Sequence, residues 1–421
     1  MEVYANALLI AIPLFLILIL LEMGYGYWKK KETYTLLDTV SSISSGITNI
    51  LKDTLGLGVV LISYPSILKL FHEQSIQTHW WVWVVAFICI DFAGYWNHRL
   101  SHKINIFWNQ HMIHHSSESF NLACALRQSI SNIIGYFPLL LFPAALIGVP
   151  YKLIAILAPV HLFAQFWYHT QHIGKLGFLE YVIVTPSQHR VHHAINERYI
   201  DKNLGQVFSI WDRWFGTFQE ELDSDPPQYG VLKQVNTWNP FTINFLHFWQ
   251  ITKDAWRTSS WIDKCRIWFM PTGWRPADVA TAYPITIIED VYHFKRYTVS
   301  GSTLFKGYAL LQLVGVSTIL LLSLSQLGTL NTAYFMGAAA YLAISVFSYS
   351  LYMDQWLGAS FTELARLSFG VLICFALFEH RLEMGLFNRW QVPLLIYHLA
   401  SLMGLVYMFF NKKNTVKLPV A

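Results

Sequence analysis

Residues 80–103, "WWVWVVAFICIDFAGYWNHRLSHK", decide the fold. The segment opens as an apolar, aromatic run and passes without a break into His98 and His102. About 20 apolar residues in a helix cross a bilayer, and histidines four apart lie one turn apart on one helix face. Asp91, Tyr95, His98 and His102 follow i, i+4, i+7, i+11, a single stripe of that helix. Ionisable groups are costly inside an apolar helix and mark a functional site by default. The segment therefore predicts a membrane helix that delivers imidazoles to a site at its inner end.

The rest of the chain agrees with a membrane setting. Of its 421 residues, 54% are hydrophobic and 16% aromatic, while only 13% are charged, about half the roughly 25% of an average soluble protein. Further apolar runs cover 7–28, 54–71, 304–327, 333–353, 362–378 and 391–410. The stretch 134–168 is apolar but broken by Pro150, and reads as two short spans or a re-entrant hairpin. Residues 237–261 interleave aromatic and polar groups, as a helix lying at a membrane surface does. Lys29, Lys30 and Lys31 follow the first run, Arg99 and Lys103 follow the third, and the tail after 410 is basic. By the positive-inside rule these place the N-terminus outside and the histidine-rich segments on the cytosolic side. The expected architecture is an all-α integral membrane bundle around a cytosol-facing, histidine-rich di-metal core. Residues 1–300 would form the catalytic part and 301–421 a set of C-terminal transmembrane helices.

Eleven of the 17 histidines fall between 98 and 193, where even scatter would put about four. "HMIHHSSESFN" (111–121) and "HRVHHAINERY" (189–199) both spell His-x-x-His-His. His111 pairs with His114 and His115 at helical spacing, and His189 with His192 and His193. In "TPSQHRVHH", Thr185, Pro186 and Gln188 read as N-cap, N1 and capping-box partner, fixing a helix start just before His189. Imidazole is the commonest protein metal ligand and suits iron, zinc, copper and nickel. Eight or nine histidines exceed the needs of one ion and match two. The four cysteines, Cys89, Cys124, Cys265 and Cys374, form no C-x-x-C pair, which argues against a zinc knuckle or a disulfide framework. No basic stripe or nucleic-acid motif is present.

The boxes H-x3-H, H-x2-H-H and H-x2-H-H, set among apolar runs, resemble the fatty acid hydroxylase/sterol desaturase superfamily. "HHSSESFNLACALRQS" (114–129), "FWYHTQHIG" (166–174), "TPSQHRVHHAINERYIDKNLGQVFSIWDRWFGTF" (185–218) and "GWRPADV" (273–279) are similar to the branch that contains alkylglycerol monooxygenase and its bacterial relatives. The resemblance implies a metal-ligand set of His98, His102, His111, His114, His115, His169, His189, His192 and His193. It leaves His172 without a dependable counterpart. Lys103 stands where members of the superfamily often carry Glu, which removes an acid at that position.

The resemblance further implies an O2-dependent di-iron monooxygenase that hydroxylates a lipid C–H bond, in this branch the carbon beside the ether oxygen of an alkylglycerol. The product collapses to a fatty aldehyde and glycerol or its derivative. Tetrahydrobiopterin is the implied reductant, with zinc able to replace iron on purification. No haem-attachment, dinucleotide or fused electron-transfer motif occurs in the chain, so electrons come from a diffusible reductant or a partner. A recycling enzyme or redox protein is the expected partner beside the membrane lipid. The membrane would be the endoplasmic reticulum in a eukaryote and the inner membrane in a bacterium. Hydroxylation or desaturation of a sterol, fatty acid or sphingoid is the alternative within the class. A histidine-lined transporter or a silent scaffold are the alternatives outside it.

Two carboxylates are further candidates. Asp91 could accept a hydrogen bond from the free N–H of a ligand histidine, or pair with a nearby cation. Glu118 could act as acid or base, or cap a helix. Arg127 and Arg190 are expected to satisfy carboxylates or lipid headgroups. His72, His79, His161, His247, His293, His380 and His398 are read as ordinary hydrogen-bonded residues, and "YIDKN" and "WDRWFGTF" as packing and turn elements.

Overall fold

The computed structural model describes residues 2–57, 59–379 and 384–411; His380 and the basic tail beyond 411 lie outside them. The chain is an all-α integral membrane protein. Among the described residues, five helices are long and apolar enough to cross a membrane: Ala5–Trp28, Thr303–Leu324, Thr332–Met353, Ala359–Phe378 and Gln391–Phe410. The expected runs at 7–28, 304–327, 333–353, 362–378 and 391–410 all appear there. The deciding segment is one unbroken helix, Trp80–Lys103, but it is not among those five: its tryptophans, Asp91 and Asn97 leave it less apolar than the expected span. We label the helices that matter below α1 (Glu2–Trp28), α2 (Leu36–Thr54), α3 (Trp80–Lys103), α4 (Asn105–His115), α5 (Tyr151–Phe163), α6 (Pro186–His192) and α7 (Pro240–Arg257). The C-terminal four are α8 (Thr303–Leu324), α9 (Thr332–Met353), α10 (Ala359–Phe378) and α11 (Gln391–Phe410).

Two expected spans are not helices of membrane length. Over 54–71, α2 ends at Leu55 and Gly56 follows with φ +63°. Pro65 then starts a helix of only five residues, Tyr64–Leu68. Pro cannot continue a preceding helix and suits a new first turn, so the run is cut into pieces. Over 134–168, prolines 138, 143 and 150 restart the chain in helices of four, six and 13 residues. The longest, α5, covers about 20 Å at 1.5 Å per residue, well short of a hydrocarbon core of about 30 Å. These short helices pack on the first half of α3, around Val82, Ala86, Ile90, Ala144, Val149 and Leu153. The only strands described are Val59–Val60 and Ile134–Gly135, two residues each and parallel.

α2 is polar yet deeply buried. Ser41, Ser42, Ser44, Ser45 and Thr48 are all buried, and a buried hydroxyl must find a partner. Ser41 donates to Trp238 O at 2.8 Å, Ser45 to Gln128 O at 2.9 Å, and Ser44 meets the hydroxyl of Tyr349. The other face of α2 supplies Leu37, Val40, Ile47 and Leu51 to the largest core, which also holds Leu313, Leu342 and Cys374 of the C-terminal helices. That core crosses residue 300 without a break. Inside the C-terminal bundle, Arg366 and Glu363 form a fully buried ion pair at 2.6 Å. Tyr308, Gln312 and Tyr397 complete its hydrogen bonds, which a pair out of water requires.

Candidate metal centre

The histidine boxes converge from separate elements. α3 brings His98 and His102, α4 brings His111, His114 and His115, and α6 with its C-cap brings His189, His192 and His193. His169 comes from the turn after α5. The capping box at the start of α6 forms as the sequence predicts, between Thr185 and Gln188. Below it Glu180 accepts from Ser187 at 2.7 Å and its carbonyl from Gln188 at 2.6 Å, so a seven-residue helix is held rigidly despite its length.

The nine imidazoles sort into two neighbouring groups. His98, His102, His111, His115 and His192 form one; His114, His169, His189 and His193 form the other. Within each, one nitrogen per residue lies within 4.8 Å of all the rest. α4 feeds both groups because His111 and His115 are four apart while His114 sits between them. α6 does the same, with His192 in the first group and His189 and His193 in the second. The rings of His115 and His193 stack at 4.4 Å across the boundary.

The nitrogens facing inward are Nε2. His98 and His111 approach at 2.9 Å, His111 and His115 at 3.1 Å, His169 and His189 at 2.9 Å, and His189 and His193 at 3.0 Å. Five of the outward nitrogens are tied down, whereas His189 Nδ1 is buried without a partner. Nδ1 of His98 reaches Leu204 O at 2.8 Å, that of His169 reaches Gln165 O at 3.0 Å, and that of His192 reaches Lys202 O at 3.0 Å. His114 Nδ1 lies 3.3 Å from Arg127 O, and His102 Nδ1 lies 3.3 Å from Asp201 Oδ1. A carbonyl only accepts, so each Nδ1 facing one carries the proton and leaves the Nε2 lone pair pointing inward. His102 and His192 have a buried Nε2 with no partner at all. Burial, reinforced by the neighbouring imidazoles, holds His111, His115, His189, His192 and His193 well below the usual histidine value. Neutral rings with converging lone pairs and orphaned acceptors fit cations. The donor set is all nitrogen, which suits a transition metal rather than calcium or magnesium.

The surrounding residues explain why the rings hold their places, and several were not legible in the sequence. Asp201, from the "YIDKN" stretch read as a turn element, accepts from His102 and from Lys103 Nζ at 2.7 Å. Burial alone would raise its pKa, but these two hydrogen bonds bring it below the ordinary carboxylate value. Lys103 thus supports a ligand through Asp201. Asp212, from "WDRWFGTF", accepts from the backbone of Leu204 at 2.6 Å and Gly205 at 2.8 Å, next to the carbonyl that holds His98. A Cβ on Gly205 would lie 2.7 Å from that carboxylate, so only glycine fits. Glu22, buried in α1, accepts from Leu122 N at 2.8 Å and from the hydroxyls of Tyr34 and Thr170. It links α1 to the residue after His169. The signal was available: a carboxylate inside an apolar span.

Asp91 sits elsewhere than the first of its two expected places. It is fully buried and accepts from His161 Nε2 at 2.7 Å, Trp211 Nε1 at 2.7 Å, and the backbone of Val207 at 2.9 Å and Phe208 at 3.1 Å. No boxed histidine is among its partners, because the loop 204–211 and α5 fold between. Its cationic alternative is not met by an Arg or Lys either; the partner is His161. Glu118 neither caps a helix nor touches the imidazoles: it accepts from Gln234 at 2.9 Å and from Tyr297 N at 2.6 Å. Arg127 pairs with Asp38 at 2.6 Å and Arg190 with Glu221 at 2.7 Å. His172 packs its ring edge-on to Tyr25 at 5.2 Å, outside both groups.

Comparison with known proteins agrees with this geometry. The fatty acid hydroxylase family model matches residues 83–217, the span of the boxes. Alkylglycerol monooxygenase of Homo sapiens is 33% identical over 364 residues, covering 85% of this chain and 80% of that protein. The Danio rerio alkylglycerol monooxygenase is 34% identical, covering 85% and 79%. An ornithine lipid hydroxylase of Rhizobium tropici is 23% identical over 49% of this chain and 64% of its own length. No solved structure matches the chain.

Proposed function

The chain belongs to the fatty acid hydroxylase family, in its alkylglycerol monooxygenase branch, and on that premise we propose that it cleaves ether lipids by hydroxylating the carbon beside the ether oxygen. The enzyme is an oxidoreductase of lipids. The observation that carries the reading is the pair of adjacent all-imidazole groups, five and four residues strong.

The balance is one ether lipid, one O2 and one tetrahydropterin to one hemiacetal, one water and one dihydropterin. One oxygen atom enters the lipid C–H bond and the other leaves as water, with two electrons and two protons from the pterin. The hemiacetal then breaks its C–O bond to give a fatty aldehyde and the free glycerol hydroxyl. Two iron ions, one per group, would supply the O2 reduction and C–H oxidation that no side chain can perform.

The protein's own residues do the rest. His98, His102, His111, His115 and His192 would hold one ion, and His114, His169, His189 and His193 the other. Nδ1 partners fix the ring directions of His98, His102, His114, His169 and His192 before any ion arrives. Tyr168, fully buried, packs on His189 at 4.2 Å, and Phe120 lies against His169 and His193 at 5.9 and 5.2 Å. These rings shut water from one side of the second group. The lysine and arginine distribution supports placing the boxes on the cytosolic side, where a recycling enzyme or redox protein can regenerate the reductant.

The test is product analysis with purified, iron-loaded protein, a 1-O-alkylglycerol and O2, with and without tetrahydrobiopterin. Fatty aldehyde should form only with the pterin. Hydroxylation of a sterol with a protein electron donor, and no aldehyde from the ether lipid, would overturn the reading.

A further inference from the structure

The segment 237–271 is anchored at both ends where membrane helices finish. At its start, Trp238 N donates to Asp354 Oδ1 at 2.8 Å and the Asn239 amide to Phe347 O at 3.2 Å, at the end of the span α9. At its finish, Pro271 bridges Ile104, and Asn105 N donates to Met270 O at 3.0 Å, at the histidine end of α3. Tyr297 shows that the two anchors share one face of the molecule. Its N–H meets Glu118, three residues past His115, at 2.6 Å, and its hydroxyl meets Asp354 at 3.1 Å. Between the anchors α7 packs on α4: Ile243 lies with Met112 and Ile113, and Phe248 N donates to Asn109 Oδ1 at 2.8 Å. Held in this way, α7 stays at the level where the spans end.

The two faces of α7 are unlike. Ile243, Asn244, Ile251 and Asp254 are buried, and Asp254 is paired with Arg275 at 2.6 Å. On the opposite side Trp249, Thr252, Lys253, Trp256 and Arg257 line a shallow groove of about 390 Å³. They follow i, i+3, i+4, i+7, i+8, one stripe of the helix. Trp256 is 85% exposed and Trp249 58%. The exposed Trp261 and Ile262 continue the apolar edge beyond α7. Tryptophan gathers where a bilayer meets water, and an amphipathic helix with such a face lies in that plane. Lys253 and Arg257 lack a counter-charge: neither makes a side-chain hydrogen bond or ion pair among the described residues. The guanidinium of Arg257 rests only on the ring of Tyr283, at 4.0 Å.

We propose that this outer face of α7 binds an anionic phospholipid of the surrounding leaflet, with Lys253 and Arg257 on its headgroup and Trp249 and Trp256 beside the upper part of its chains. The lipid is held and not turned over, because the body of α7 separates the groove from α4 and its imidazoles. Two uncompensated cations one turn apart match a headgroup of net negative charge; a zwitterionic one brings its own cation. Charge-assisted hydrogen bonds to phosphate are the strong kind, and the long stems of lysine and arginine lie on apolar surface while their heads reach it. A soluble protein partner would have to cover these tryptophans at the level where the spans already meet lipid, so lipid is the occupant the placement favours. The inference needs neither the metal nor ether cleavage.

The experiment places full-length, metal-loaded protein in phosphatidylcholine nanodiscs and titrates in chain-brominated lipid, which quenches a tryptophan it touches. The signal is the quenching lost on Trp256→Phe, which isolates Trp256. The probes are brominated phosphatidylglycerol and brominated phosphatidylcholine, with inorganic phosphate as competitor. Wild-type Trp256 should be quenched by both lipids, and at lower mole fraction by phosphatidylglycerol. Lys253→Gln and Arg257→Gln should each cut that preference about fivefold, while quenching by phosphatidylcholine stays as it was. All three side chains are free of hydrogen bonds and ion pairs, so folding is not at stake. No quenching of Trp256 by either lipid would overturn the proposal and leave the face to a soluble partner. Equal quenching by the two lipids in the wild type, or a preference that survives both substitutions, would overturn it as well. Displacement of phosphatidylglycerol by inorganic phosphate would make free phosphate the ligand and overturn it too.

Discussion

Replacing Asp91 by alanine separates a carboxylate that reacts from one that positions. Its two oxygens take four donors, His161 Nε2, Trp211 Nε1 and the backbone N–H groups of Val207 and Phe208, at 2.7–3.1 Å and with no solvent exposure. Each buried donor left without an acceptor costs about 1–3 kcal/mol. With about half recovered by water and relaxation, Asp91→Ala should lose about 2–6 kcal/mol, a large share of the roughly 5–15 kcal/mol that holds a domain folded. The damage reaches both histidine groups. Leu204, whose carbonyl holds His98, leads into the loop that Asp91 clasps. His161 lies 3.3 Å from Gln165, whose carbonyl holds His169. Asp91→Asn keeps one oxygen and turns the other into a donor facing two donors, so it should fall about midway. The assay is thermal stability by size-exclusion chromatography in detergent, with metal content measured on the same sample. Asp91→Ala protein of wild-type stability and metal content but no activity would refute the reasoning and make Asp91 a direct participant.

Three further outcomes follow from the same contacts. His172→Ala should keep metal and stability at wild-type levels, whereas His169→Ala should lose metal from the second group, both read by mass spectrometry of the purified protein. Glu22→Gln should lower thermal stability and metal retention together, since three donors from α1's neighbours meet that carboxylate; unchanged metal retention would show that the α1 link does not position His169. Arg366→Leu should destabilise by about 3–5 kcal/mol by leaving Glu363 buried and unpaired, and adding Glu363→Leu should restore much of it; a double variant as unstable as the single would contradict the ion-pair account.

The histidine boxes were legible because their chemistry is local. Helical spacing of three and four within α3, α4 and α6 sets which rings share a face, and spacing is all that a sequence displays. Partners arriving from distant loops were not legible. Asp91 was found by its stripe with His98 and His102, yet its true partners lie 70 to 120 residues away. Asp201 and Asp212 looked like turn residues because their acceptor role exists only once the 201–217 loop closes on α3. The run 54–71 looked like a span by hydropathy alone, although Gly56 and Pro65 carried the signal that breaks it. α2 was missed as a helix for the opposite reason. Its serine-rich face is buried by tertiary hydrogen bonds to Trp238, Gln128 and Tyr349 that no periodicity announces.

The central claim is that the two imidazole groups each hold an oxygen-handling metal ion. Metal analysis of protein expressed with iron and purified without oxygen tests it most directly. The account predicts about two ions per chain, with His102→Ala and His189→Ala each removing about one. Fewer than one ion per chain in the wild type, or a full complement of two ions retained by either variant, would contradict it.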